Sequence, residues 1–238
     1  LRKRLDVFNS GAIAAAYGSI SAVTFVAGVG FLEGLSVKYG GYMMAAMALM
    51  ESPAIVAGLL LVAMYSKSKD SKFTREKFKE VLKESCFNGS VFLLVGSLII
   101  GVLTASKDFY GYKPFSSGFF ATLLAFYMLD MGLVAGKKIS ALKEQGGFLI
   151  FVAVLYPIAF AIIGIGIAYL MSFEKGDAFL FTVLVASASH IAVPAAMRLS
   201  IPKANMSLLL FMSLCVTLTF NITLGLPLFY MIVDFLWS

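Results

Sequence analysis

The chain has 238 residues, of which 60% are hydrophobic and 13% charged, with a mean hydropathy of +0.92 and a net charge of +6. An ordinary soluble domain is about 45–50% apolar and about 25% charged, so a single water-facing core is excluded. Spanning helices of about 20 apolar residues each would use most of the length and leave short loops, with no room for a separate soluble domain.

Seven apolar stretches follow in chain order, at about 11–31, 41–65, 88–105, 117–135, 147–172, 178–197 and 206–233. The first carries Tyr17-Gly18-Ser19-Ile20-Ser21 near its centre, and the second carries Glu51-Ser52-Pro53. After the second comes the polar run 66–84, SKSKDSKFTREKFKEVLKE, which reads as a solvated linker ending in an amphipathic helix. It divides the chain into segments 1–65, 66–84 and 85–238. In the fourth stretch Asp130 precedes Lys137 by two turns, which fits a structural or cytoplasm-facing carboxylate as well as an ion ligand. The sixth holds Ser187-Ala188-Ser189-His190 with Pro194 beyond it, and the last holds Thr219-Phe220-Asn221. Cys86 and Cys215 sit in or beside apolar runs and read as small buried hydrophobes rather than a disulfide or a metal site.

Charge placement gives the orientation. Of the 19 Lys and Arg, 15 fall on one side, in the N-terminal segment, the linker 66–84, and the connections after the fourth and sixth stretches. Only Lys38, Lys107, Lys113 and Lys175 fall on the other. The positive-inside rule places the linker in the cytoplasm and the C-terminus outside. It also accounts for the basic balance without a nucleic-acid partner. Residues 206–238 contain no lysine, which excludes a retinal Schiff base on the last helix.

Small polar residues at membrane depth interrupt a helix only where protein or a water-filled cavity surrounds them. One such cluster is accounted for by close helix packing. Two clusters in matching positions point further. Ser21 precedes Pro53 by 32 residues, and Ser189 precedes Asn221 by the same 32. Equivalent members lie five stretches apart, the parity of an inverted repeat, and transporters place substrate between the broken helices of such repeats. Two half-helix N-termini facing one cavity suit a small anion, and serine hydroxyls also offer oxygen to a hard cation such as sodium. The candidate substrate residues are therefore Gly18, Ser19, Ile20, Ser21, Ser187, Ala188, Ser189 and His190, and the candidate cation residues are Ser19, Glu51, Ser187, Ser189 and Asn221. No transition-metal ligand set is present in the sequence pattern, and sodium is the one coupling species it calls for. Glu51 lies mid-span, where an unpaired charge is costly, and His190 is the only histidine. A rival reading makes Ser19 or Ser21 the nucleophile of an intramembrane hydrolase with His190. Another makes the chain a transport-inactive sensor whose basic linker engages a cytoplasmic partner.

At these residues the chain resembles the sodium-dependent bicarbonate transporter family of bacteria and cyanobacteria, from about Asp6 to the C-terminus. Arg198-Leu199-Ser200-Ile201-Pro202-Lys203-Ala204-Asn205-Met206-Ser207 matches the family's R-x-x-I-P-x-A-N-x-S. Gly18-Ser19, Glu51-Ser52-Pro53-Ala54 and Pro227-Leu228-Phe229 fit it too. The resemblance implies an all-α polytopic membrane protein of the bacterial inner (plasma) membrane, built as two inverted five-helix halves with broken helices. The seven visible spans would be helices four to ten, with three more expected ahead of Leu1. It further implies sodium-dependent bicarbonate symport, no enzymatic activity, a homotrimer in lipid, and a PII-like cytoplasmic regulator in some members. The chain departs from the cyanobacterial pattern at His190, where that pattern carries aspartate, at Tyr17 in place of a serine, and at Ala192-Val193 in place of Ser-Gly. Histidine offers no oxygen ligand to sodium, which raises proton coupling, or another small or organic anion, as the alternative.

Overall fold

The computed structural model of the protein describes residues 5–65 and 147–238, with isolated helical positions between 96 and 133. The linker 66–84 and most of the third and fourth apolar stretches lie outside the described residues, as do the side chains of Glu51 and Ser52.

Every described element is helical. In chain order these are α1 (Val7–Gly18), α2 (Ala22–Gly34), α3 (Tyr42–Tyr65), α4 (Gly147–Leu170), α5 (Lys175–Val185), α6 (Ala192–Ser200) and α7 (Met206–Leu236). Among the described residues three stretches are long and apolar enough to cross a membrane: Val7–Gly34, Gly147–Leu170 and Met206–Leu236. The first expected span, 11–31, thus extends by a turn at its start, where the Asp6 carboxylate caps α1 by accepting the Asn9 N–H at 2.8 Å. The sixth, 178–197, is divided into α5 and α6 at the expected interruption, with residues 186–191 between them.

Both α2 and α4 stop on a serine in the left-handed region, Ser36 at φ 56° and Ser172 at φ 54°. Val37 N–H donates to Leu32 O and Phe173 N–H to Ala168 O, each at 3.0 Å, which closes the last turn in the manner of a Schellman cap. The second of these turns folds α4 back on α5. There a Cβ on Gly164 would stand 3.2 Å from Thr182 Cα, so the absent side chain lets the two backbones approach. α2 lies along the same helix, with Gly28 against Leu180 and Val183.

The apolar interior has two parts. One gathers Ile13, Met197, Leu209 and Met212 from α1, α6 and α7. The other gathers Phe25, Leu32, Met43, Phe179, Leu184 and Phe229 from α2, α3, α5 and α7. A fully buried side chain of this size contributes roughly 1.5–3 kcal/mol, so both parts hold firmly what lies between them. α7 runs through both, and it is π-helical over Phe211–Leu218 and again over Asn221–Gly225. Such widened turns are rare and concentrate at functional places.

Candidate functional site

The first interruption arises from chain chemistry. Gly18 is poor in a helix, and serine hydroxyls compete for nearby backbone groups. α1 ends at Gly18, and Ser19 turns extended at φ −99° and ψ 175°. Ser21, also extended, starts α2 by accepting the Thr24 N–H on its hydroxyl at 3.2 Å. The second interruption repeats these devices. After α5 the Ser187 hydroxyl donates to Leu184 O at 2.8 Å, and the Ser189 hydroxyl accepts the Val193 N–H at 3.2 Å in the first turn of α6. Pro194 sits in that same turn, where a missing N–H costs nothing.

The two interruptions touch. Ser21 N–H donates to Ser187 Oγ at 2.8 Å, and Ser189 N–H donates to Ala16 O at 2.8 Å. Each interrupted strand thereby satisfies a backbone donor of the other's neighbourhood, and orphaned donors in a buried setting are costly. Ser19, Ser21, Ser187, Ala188, Ser189 and His190 are all buried at this crossing. Ile20 is buried with them, while Gly18 is exposed and its α-carbon faces the Ala54 side chain of α3, one residue beyond Pro53. His190 places Nδ1 3.4 Å from Ala188 O, a carbonyl that only accepts, so this nitrogen carries the proton in that contact. The backbone of Glu51 is helical in α3, close in sequence to Ala54.

α7 ties itself to both interruptions from its π-helical part. Asn221 Nδ2 donates to Ala186 O at 3.0 Å, which caps the end of α5. That carbonyl can only accept, so the amide orientation is fixed and Oδ1 is the opposite atom. Oδ1 is buried and has no donor among the described residues, a state shared there only by Ser10 Oγ. An unsatisfied buried acceptor costs about 1–3 kcal/mol. One π turn earlier, Thr217 Oγ1 donates to Ala153 O at 2.7 Å. Pro157 lies four residues beyond Ala153 and lacks the N–H that would have filled this carbonyl. Thr217 has a single hydroxyl proton, so the Tyr17 hydroxyl, 2.7 Å away, must be the donor to it.

Tyr17, Thr217 and the Pro157 gap are absent from the sequence-derived site. The signal was present: a proline inside an apolar span frees the carbonyl four residues earlier, and one of few hydroxyls in the last span meets it. Asp177 is a further omission. Buried in the first turn of α5, it accepts Gly40 N–H at 2.6 Å and the Tyr42 hydroxyl, docking the α2–α3 connection there. The motif after the sixth span has a structural use. Asn205 caps α7 by accepting Leu208 N–H at 3.1 Å, and its own N–H donates to Asn9 Oδ1 at 2.6 Å, joining the starts of α1 and α7. Among the described residues no cluster of His, Cys, Asp and Glu is able to hold a metal.

The crossing thus presents helix N-termini, serine hydroxyls and an amide oxygen. Among the described side chains the crossing holds no carboxylate, lysine or arginine. The sequence profile described as the Na+-dependent bicarbonate transporter superfamily matches residues 1–234. A comparison with curated proteins gives no match.

Proposed function

The chain belongs to the Na+-dependent bicarbonate transporter superfamily, and from that premise we propose that it is a secondary transporter importing bicarbonate with sodium. Membership makes it an integral membrane transport protein and not an enzyme, which removes the hydrolase reading of Ser19, Ser21 and His190. The pair of hydrogen bonds joining the two interruptions carries the proposal. It supports a reading in which two broken helices of an inverted-repeat fold cross near the bilayer midplane. In this reading the seven apolar stretches are spans, the linker 66–84 is cytoplasmic, and the assembly is a homotrimer open to a PII-like regulator.

Bicarbonate would lie against the α2 and α6 N-termini, where first-turn N–H groups lack intrahelical partners and the dipole favours negative charge. Gly18, Ser19, Ile20 and Ser21 would line one side, and Ser187, Ala188, Ser189 and His190 the other. Ser19, Ser187, Ser189 and Glu51 would offer oxygen to sodium. The hydroxyls of Ser187 and Ser189 are already bonded to the backbone, yet each oxygen accepts more than one bond.

Uptake of radiolabelled bicarbonate by the full-length protein in liposomes tests this directly. Uptake should rise with an inward sodium gradient, and Ser19→Ala and Ser189→Ala should each lower it by about tenfold, the loss of one hydrogen bond to a charged ligand. Uptake indifferent to both variants would move the site elsewhere.

A buried histidine at the crossing favours a second reading, proton coupling. A histidine titrates near neutrality, and a protonated ring would assist an anion while repelling a cation. Under that reading uptake follows a pH gradient instead, and His190→Asp shifts the requirement toward sodium. Identical pH and sodium profiles in wild type and His190→Asp would leave His190 a spectator.

A further inference from the structure

Asn221 Oδ1 is set apart from every other polar group at the crossing. Its amide is held from the nitrogen end on Ala186 O, one residue before Ser187, whose hydroxyl receives the Ser21 N–H that opens α2. The amide is therefore unable to turn its donor toward a ligand without uncapping α5. The oxygen end is 1% exposed as part of Asn221, lacks a donor among the described residues, and borders Gly225. A Cβ on Gly225 would stand 3.0 Å from Oδ1 and 3.2 Å from the Phe229 ring, so the glycine keeps room against the oxygen.

The Ser187 proton goes to Leu184 O, but the Ser189 hydroxyl and the first-turn N–H groups of α2 and α6 offer donors, which any oxyanion accepts. Oδ1 offers the converse, a fixed acceptor that only a ligand with its own O–H or N–H satisfies. Resting on the transport reading above, we propose that Asn221 is the specificity-determining residue that selects a monoprotonated oxyanion over aprotic anions of the same shape. A planar anion such as nitrate meets the donors equally well and leaves Oδ1 unpaired. Rejection of a ligand that leaves a buried polar group unpaired is the strong form of discrimination available to a site.

The test uses full-length protein in liposomes, with labelled bicarbonate uptake competed by nitrate. Wild type should prefer bicarbonate by about tenfold or more. Asn221→Leu should bring that preference near unity while the sodium concentration for half-maximal uptake stays unchanged. Because Asn221→Leu also uncaps α5, Gly225→Ala is measured beside it. It crowds Oδ1 without altering the amide and should erode the same preference. An unchanged preference in both variants overturns the inference. So does a shift in sodium dependence without a shift in anion preference, since Oδ1 would then be a cation ligand. Wild-type protein that takes up no anion under any gradient overturns the transport reading itself, whereas bicarbonate uptake with no preference over nitrate overturns only the role of Asn221.

Discussion

Thr217 carries two hydrogen bonds on one hydroxyl, and their directions are unequal in consequence. Its proton fills the Ala153 carbonyl that Pro157 leaves open, and its oxygen receives Tyr17. Thr217→Val removes the donor and strands a buried carbonyl, which should cost about 1–3 kcal/mol. Tyr17→Phe leaves Ala153 served and should cost about 0.5–1.5 kcal/mol. Thermal unfolding in detergent should rank Thr217→Val as the more damaging, and the double variant should resemble it closely because the second bond is already gone. The opposite order would mean that the Tyr17 hydroxyl has another partner. Sequence reasoning reached the serines of the crossing because small polar residues are conspicuous in apolar runs. It reached Tyr17 only as a departure from the family pattern and missed its hydrogen bond, because that role lies in one atom meeting a residue 200 positions away.

At the scale of elements, two neighbouring positions around the α4–α5 turn respond oppositely to a change of one carbon. Ser172 holds a positive φ that an L side chain tolerates poorly, so Ser172→Gly should stabilise by roughly 0.5–1 kcal/mol. Gly176 packs against the α2–α3 connection, and a Cβ there would fall 2.0 Å from Lys38 O. Gly176→Ala should therefore displace that connection from Asp177, lower the melting temperature, and raise proteolysis within residues 36–41. Equal stability of the two variants would show that the connection is not held there. The described helices and both interruptions were legible from glycine, serine and apolar runs. The π-helical widening of α7 was not, since it adds no residue type, only a change of hydrogen-bond register that positions Thr217 and Asn221.

At the scale of the molecule, both parts of the apolar interior meet at the crossing, so a ligand bound there stabilises all the packed helices together. On the transport reading proposed above, sodium and bicarbonate each held about a hundredfold above its dissociation constant should each raise the cost of unfolding by about 2.7 kcal/mol, about 5.4 kcal/mol together. Calorimetry should show the shift with both ions and lose most of it in the Ser19→Ala/Ser189→Ala double variant. A shift of equal size in that variant would place ligand binding elsewhere. The equal spacing of 32 residues marked the two clusters as a pair. Which atoms bridge the two members was not readable, because the bridging groups are backbone amides common to every sequence.

Ser21 and Ser187 are 166 residues apart, which fixes an order of events during biosynthesis. Ribosomes add about 5–20 residues per second, so the amide of Ser21 waits roughly 8–33 s before its acceptor exists. For that interval the first interruption is already within an apolar segment with its donor unanswered, and another group, such as water in the translocon, has to serve it. The newborn first segment is thus held in an unfinished state until the second arrives, and a ribosome that stalls before residue 187 leaves behind a chain in which that amide lacks its native acceptor.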